Sequence, residues 1–452
     1  MVARCGVGHP LVIRNRPYDD HGNPFPTLYW LTCPDAVRAV SRLESEGWIK
    51  RLEQEAEIDP DLRTGLRRAH EAYARERGLA HPGGEAWGGV GGSAHGIKCL
   101  HAHLAHHISG GPDPIGKWVA GQVSLVDLHY AKPGRRLAVI DIGTNSTRLL
   151  VARFLEGEPE LQDLASDSLI TRIGQRVDAT GRVDPRALRR TLGVIERYCR
   201  RARALGAERI HAAATSAVRE ISNREELMRS VHRLTGEPLE VLTGEDEGRI
   251  AFGGATRGLP ADMGPFLMLD IGGGSTEFVL GGGGGPAEAV SMRIGSVRLA
   301  ERFLRSDPPS DAELESIEQA VEEALSVVED RIAVRDARTL VAVDGSSVTV
   351  QAIALGLPEY DPERIHRSSL ARADAERVLR LLADMDVEER RTLAVMAPGR
   401  EDVIPAGAAI LVGVMQRWGF DHAMVSETDI MEGLAHRLAD EPIDSEPGGA
   451  AG

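Results

Sequence analysis

Asp141 and Asp270 each close an apolar run and open a turn of small residues. Leu137–Val151 reads LAVIDIGTNSTRLLV, and Phe266–Leu280 reads FLMLDIGGGSTEFVL. An acid at the end of a buried strand, followed by glycine and then Ser-Thr, can hold phosphate. Glycine permits positive φ and lets an anion approach the backbone N–H groups. The hydroxyls add donors, and the acid can bind a divalent cation such as Mg²⁺ that keeps several of its waters. A single Gly-rich turn of this kind is a weak signal; the same turn twice, in matching context, calls for two loops that clasp a phosphate chain from opposite sides. The donors are then Gly143, Thr144, Asn145 and Ser146 in the first loop and Gly272, Gly273, Gly274, Ser275 and Thr276 in the second. Asp141 and Asp270, with Glu277 just after the second loop, are the candidate metal ligands.

Three further stretches carry chemistry. Arg219, in AAATSAVREISN (212–223), offers a guanidinium that can give two donors to phosphate oxygens. Glu247 stands in GEDEGR (244–249), where three acids in a row also suit the first turn of a helix. Gly345 and Ser346, in VDGSSVT (343–349), can form a third phosphate-side turn.

The elements that must position these residues follow from the hydrophobic pattern. Continuous β-branched runs such as RLAVIDIG and TLVAVDG read as buried strands. Helices are expected over 184–206, with Asp184 as N-cap, Pro185 in the first turn and Gly206 at the end. Another is expected over 223–236 with Asn223 as N-cap, and a long amphipathic one over 310–333. Strands alternating with helices imply α/β domains with mixed or parallel sheets.

The two loop sequences are the phosphate-1 and phosphate-2 motifs of the actin, sugar-kinase and heat-shock-70 superfamily, and their wording resembles the exopolyphosphatase and guanosine pentaphosphate phosphohydrolase (Ppx–GppA) family. AAATSAVREISN, VLTGEDEGRIAFGGA (241–255) and VSETDIMEGL (425–434) resemble further segments of that family, in the right order, from about Arg136 to about Ala439. The resemblance implies two actin-like (ribonuclease H-like, ASKHA superfamily) domains, 136–256 and 262–440, with the substrate in the cleft between them. It implies that Glu247 activates water, that Arg219 binds phosphate beside it, and that Mg²⁺, with Mn²⁺ as a substitute, is the cofactor. The expected substrate is inorganic polyphosphate, short chains favoured, with guanosine pentaphosphate of the stringent response as the alternative. An actin-like kinase and a non-catalytic nucleotide or polyphosphate sensor are the readings from other classes. A homodimer is expected. In VDGSSVT, Asp344 replaces a small residue of the family pattern and Val348 stands where a hydroxyl is usual, which bears on activity and chain-length preference rather than on fold.

Residues 1–130 differ in kind. They hold ten of the fifteen histidines, three of the four cysteines and four of the five tryptophans. They resemble an actinobacterial domain family of unknown function and are expected to form a small α+β domain. The Pro-Gly stretch at 130–136 reads as a linker, so a chain beginning at Lys132 should bury its own core. A disordered tail is expected over 441–452. If 97–108 is helical, Cys99, His103 and His106 or His107 share a face, and Cys5, His9 or Cys33 could complete a Zn²⁺ shell. No Cys-x-x-Cys pair exists, and a histidine-rich helix with partly buried imidazoles fits as well.

The net charge of −15 argues against nucleic-acid binding, and 42% apolar residues suffice for real cores. No apolar run of membrane-spanning length and no signal-peptide core are present, so the expected location is the cytoplasm.

Overall fold

The computed structural model describes residues 2–5, 10–15, 27–79, 88–93, 95–123, 134–155 and 161–441. The linker residues 130–133 and the tail 442–452 lie outside the described residues, as does His9.

The N-terminal unit begins with a three-stranded antiparallel sheet of β1 (Ala3–Arg4), β2 (Pro10–Arg14) and β3 (Tyr29–Leu31). Of the helices α1 (Pro34–Ser45), α2 (Trp48–Ile58), α3 (Pro60–Leu79), α4 (Leu100–Ile108) and α5 (Pro114–Val123), α4 packs on β3 and the others pack around α4 and one another. The sequence expected α4 to begin earlier. Instead Cys99 is its N-cap, in extended conformation, so the Zn²⁺ shell expected from Cys99, His103 and His106 does not form. His103 and His106 turn inward, where their Nδ1 atoms share the buried carboxylate of Asp113 at 2.8 and 3.1 Å. Cys33 lies against Cys5 rather than against this helix.

The first large sheet has the order β6-β5-β4-β7-β8. Its members are β4 (Gly134–Ile142), β5 (Ser146–Leu155), β6 (Leu161–Ile170), β7 (Arg209–Ala214) and β8 (Glu240–Val241). The first three strands form an antiparallel meander, and β7 and β8 continue the sheet parallel to β4. The helices of this half are α6 (Val177–Thr180), α7 (Pro185–Ala204), α8 (Ser216–Glu220), α9 (Glu225–Thr235) and α10 (Gly244–Thr256). Asp184 caps α7, accepting from the backbone N–H of Arg186 and Ala187. Asn223 does not cap α9: its side chain bridges the backbone of Val183, and Arg224 takes the cap position.

The second sheet has the order β11-β10-β9-β12-β14-β13. Its strands are β9 (Phe266–Ile271), β10 (Thr276–Gly282), β11 (Gly285–Met292), β12 (Thr339–Val343), β13 (Ser368–Ala371) and β14 (His422–Val425). Its helices are α11 (Ser296–Phe303), α12 (Asp311–Glu329), α13 (Asp344–Ala354), α14 (Pro362–Ile365), α15 (Arg372–Asp384), α16 (Val387–Arg391), α17 (Ile404–Trp418) and α18 (Ile430–Asp440). Counted from its own first strand, each sheet runs third, second, first, fourth; the first then ends on its fifth strand, and the second on its sixth and fifth. The repeated sentence in the sequence is thus a repeated topology, the pair of actin-like sheets that the motifs imply.

α10 and α18 cross between the sheets. A Cβ on Gly254 would lie 2.0 Å from the Asp429 carbonyl oxygen, and one on Gly433 would lie 2.1 Å from that of Ile250. Only glycine lets these backbones approach so closely. Around them a shared cluster joins Leu137, Val139 and Leu150 of the first sheet to Met268, Val279 and Val341 of the second, through Phe252 and Leu434. The helix α18, which falls within 262–440, therefore packs on the first sheet as well. The compositional break near 130 does not interrupt the core either. One cluster runs from Val2, Tyr73 and Leu104 through to Ile140, Ile195 and Tyr198. Arg197 of α7 bonds Glu76 at 2.8 Å, and Arg200 donates to the Gly110 carbonyl at 2.9 Å.

Candidate active site

The β4–β5 and β9–β10 turns face one another. A Cβ on Gly273 would lie 3.1 Å from Cβ of Thr144, and one on Gly274 would lie 2.6 Å from the Ser216 hydroxyl and 2.8 Å from that of Thr144. The second loop needs glycine there because the first loop occupies the space. The Gly143 N–H bonds the Ser146 carbonyl at 2.9 Å, which closes the first turn.

A cleft between the loops is lined by Asp141, Gly143, Thr144, Asn145 and Ser146 from one side and by Asp270, Gly272, Gly273, Gly274 and Ser275 from the other. Gly345 and Ser346 at the start of α13, and Glu247 from the first turn of α10, also line it. Of the remaining predicted residues, Arg219 and Glu277 stand just behind the lining. Arg219 Nη1 donates to Glu247 Oε2 at 2.6 Å and to the Leu242 carbonyl at 2.9 Å. The predicted phosphate ligand is thus first a partner of the predicted base. Thr276 is a correction: its side chain is fully buried and donates to the Ile294 carbonyl at 2.5 Å, so it has no donor left for the cleft.

Residues that the sequence reading gave no role also line the cleft: Arg148, Thr215, Ser216, Ser296 and Arg400. Arg148 Nη1 donates to Asp429 Oδ2 at 2.6 Å and lies 3.6 Å from Asp344. Arg400 Nη1 donates to the Gly345 carbonyl and to Thr349 Oγ1, both at 2.8 Å, and its guanidinium leaves no room for a Cβ at Gly345. Thr349 thus helps to hold Arg400, and Val348 points into the apolar core. Asp344 adopts a φ of 63°, unusual for a residue with a Cβ and a form of strain that concentrates at functional sites. The helix-end position of Asp429 inside VSETDIMEGL was visible as a motif; the arginine it would meet was not.

The cleft is rich in buried acid. Burial pushes the Glu247 carboxyl well above its usual range; Glu277 adds to this, and Arg219 opposes it. Burial also raises Asp270, reinforced by Asp344 and Glu277. Glu277 is pushed up to about 7 by burial, against the hydroxyls of Ser275 and Ser291. Asp141 is likewise raised to about 7, burial outweighing Arg148. Two of these oxygens, Asp141 Oδ1 and Glu277 Oε2, are buried without a hydrogen-bond partner. A set of hard oxygen donors, mutually repelling and partly unpartnered, fits a divalent cation. The loop N–H groups and hydroxyls fit the oxygens of phosphate.

Residues 150–441 match the Ppx/GppA phosphatase family, and residues 1–121 match a family described as protein of unknown function (DUF501). The chain is 39% identical over 318 residues to Exopolyphosphatase 2 of Mycobacterium tuberculosis, covering 67% of this chain and 98% of that protein. The crystal structure of the Aquifex aeolicus Ppx/GppA family member superposes with a TM-score of 0.59 at 31% identity, over 69% of this chain and all of that one. A crystal structure titled exopolyphosphatase-like protein gives 0.64 at 32% identity, over 67% and 99%.

Proposed function

Since the chain belongs to the Ppx/GppA phosphatase family, we propose that it releases terminal orthophosphate from inorganic polyphosphate, with Glu247 as the base. The observation that carries this reading is a buried glutamate, held by an arginine, at the mouth of two opposed phosphate loops.

Hydrolysis of a phosphoanhydride needs a positioned water, a proton acceptor and charge neutralisation. The loop N–H groups, with Asn145, Ser146 and Ser275, orient the terminal phosphoryl group. Glu247 takes a proton from water as the water oxygen bonds to phosphorus. The bond from phosphorus to the bridging oxygen breaks, and the shortened chain keeps that oxygen. The pair with Arg219 fixes the Glu247 carboxylate so that one oxygen faces the water. Asp270, with Asp141 and Glu277 in support, would hold Mg²⁺, which when bound neutralises charge on the phosphate oxygens.

A kinase of the same fold must exclude water, whereas an acceptor carboxylate in the cleft favours its activation. Short chains are the favoured substrate. Beyond Thr144 and Asn145 a second cavity contains Arg172 and Arg390, but these already pair with Asp402 at 2.8 Å and Asp307 at 2.9 Å. Arg305, in the same cavity, donates to the Glu301 and Arg302 carbonyls at 2.7 and 3.1 Å and has no acid partner among the described residues. A longer chain would thus meet one uncompensated cation rather than a basic track, and added phosphate units gain little binding. Phosphate release from polyphosphates of defined length, with and without Mg²⁺, tests the reading. Glu247→Gln should lower turnover by about 10²–10⁴ while leaving substrate binding intact. Turnover within about threefold of the parent would remove Glu247 from the mechanism.

A further inference from the structure

Away from the cleft, the N-terminal unit brings together three side chains of different chemistry. Cys99 Sγ lies 3.6 Å from His101 Nδ1, and Glu44 Oε1 lies 3.2 Å from the same nitrogen. Among the described residues these three ligand atoms form a group that could hold a metal ion, all within 4.8 Å of one another.

His101 Nε2 is 3.2 Å from both the Val37 carbonyl oxygen, which can only accept, and the Ser41 hydroxyl, which can accept or donate; the carbonyl favours a hydrogen on Nε2. In the neutral ring Nδ1 then presents a lone pair to a carboxylate oxygen and a sulfur. Either a proton or a metal ion can sit between them. A hydrogen bond from nitrogen to oxygen spans about 2.7–3.2 Å, so the carboxylate oxygen lies at its long limit. Both separations also match the edges of a tetrahedron around Zn²⁺. Bonds of about 2.3 Å to sulfur and about 2.0–2.2 Å to nitrogen and oxygen place sulfur about 3.6 Å and oxygen about 3.3 Å from the nitrogen. Ligating histidines commonly donate their second N–H to a backbone carbonyl, as here. The carboxylate is anchored as well: the Leu100 N–H, at the start of α4, donates to Glu44 Oε1 at 2.7 Å.

We propose that Glu44, Cys99 and His101 form a zinc site, separate from the phosphate cleft, in which a water or an exogenous ligand takes the fourth position. A mixed sulfur, nitrogen and oxygen set selects zinc-like ions over Mg²⁺. Side-chain exposures of 22% for His101 and 27% for Glu44 leave the site open to entry from solvent.

The test uses the full chain, stripped with a chelator and held in saturating Mg²⁺, then titrated with Co²⁺ as a spectroscopic stand-in for zinc. One equivalent should bind with a thiolate-to-cobalt charge-transfer band in the near ultraviolet, and Zn²⁺ should displace it. Cys99→Ser and His101→Ala should abolish the band, while Cys5→Ser and Cys33→Ser should keep it. Glu44→Gln can still accept from Leu100 and so preserves the local fold. It should weaken Zn²⁺ binding by at least about tenfold. Absence of the band, its survival in Cys99→Ser, its loss in Cys33→Ser, or unchanged affinity in Glu44→Gln would each overturn the proposal. The outcome is independent of polyphosphate hydrolysis, because the readout is the sulfur–metal bond.

Discussion

The two phosphate hairpins have nearly the same sequence and topology but opposite electrostatics. Across the first, Asp141 is the register partner of Arg148; across the second, Asp270 is the register partner of Glu277. One hairpin thus sets a cation opposite its acid, and the other sets a second acid there. Arg148 is itself shared, bonded to Asp429 and near Asp344. Like charges directly opposite one another in an antiparallel pair destabilise it. On the proposed reading, a cation bound between Asp270 and Glu277 would offset this repulsion, whereas the first hairpin brings a cation of its own and would serve mainly to orient phosphate. A duplicated loop has become two different tools through one residue in each outgoing strand.

The largest effect that follows is on turnover. Asp270→Asn should cut phosphate release at saturating Mg²⁺ by more than about 10²-fold, beyond what loss of an outer-shell partner costs. Asp141→Asn should cost clearly less. Mg²⁺ titrations of both variants check this, and equal or reversed losses would break the contrast between the hairpins. Next comes the metal requirement itself. Glu277→Gln should raise the Mg²⁺ concentration for half-maximal activity by about tenfold, with a smaller change in turnover once metal saturates. An unchanged requirement would place Glu277 outside the metal's reach.

The smallest effect is on stability without metal, and it sharpens the comparison. In the folded chain Glu277 is raised to about 7, above the ordinary 4.5. The unfolded state therefore releases this proton first. Stability from this group is full below about pH 4.5 and declines as pH rises through about 7. Glutamine has no proton to lose. In chelator at pH 8, Glu277→Gln should melt about 2–4 °C higher than the parent, a gain on the order of 1 kcal/mol, and the gain should vanish below pH 4.5. A melting temperature that is lower at pH 8, or a gain that persists in acid, would show that burial does not penalise the Glu277 carboxylate in the folded chain.

Much of this site was legible because it is local. The Asp-Ile-Gly turns, the apolar strands and the acidic start of α10 each lie within a dozen residues, and each carries its own periodicity. What escaped reading depends on register or distant partners. Arg148 looks like one charge in an apolar run until the pleat places it opposite Asp141. Arg400 is in a loop whose target, Gly345, is 55 residues away. Thr276 fits the loop by spelling, but the next position along a strand points to the other face, into the core. The N-terminal group of Glu44, Cys99 and His101 lay out of reach for a related reason. A helix through 97–108 would align Cys99 with His103, whereas a helix starting at Leu100 leaves Cys99 extended and turns its thiol toward His101 and Glu44.

The return of α18 to the first sheet has a consequence for how the chain is made. Ribosomes deliver β4 and β5 early, but the apolar faces of Leu137, Val139 and Leu150 are covered in part by Met431, Leu434 and Leu438, nearly three hundred residues later. Arg135 likewise waits for the Ala439 carbonyl, 304 positions on. At about 5–20 residues per second, that interval is about 15–60 s in which the first half is synthesised yet incomplete. The nascent chain spends this time with that face of its first sheet uncovered, until α18 emerges to close it.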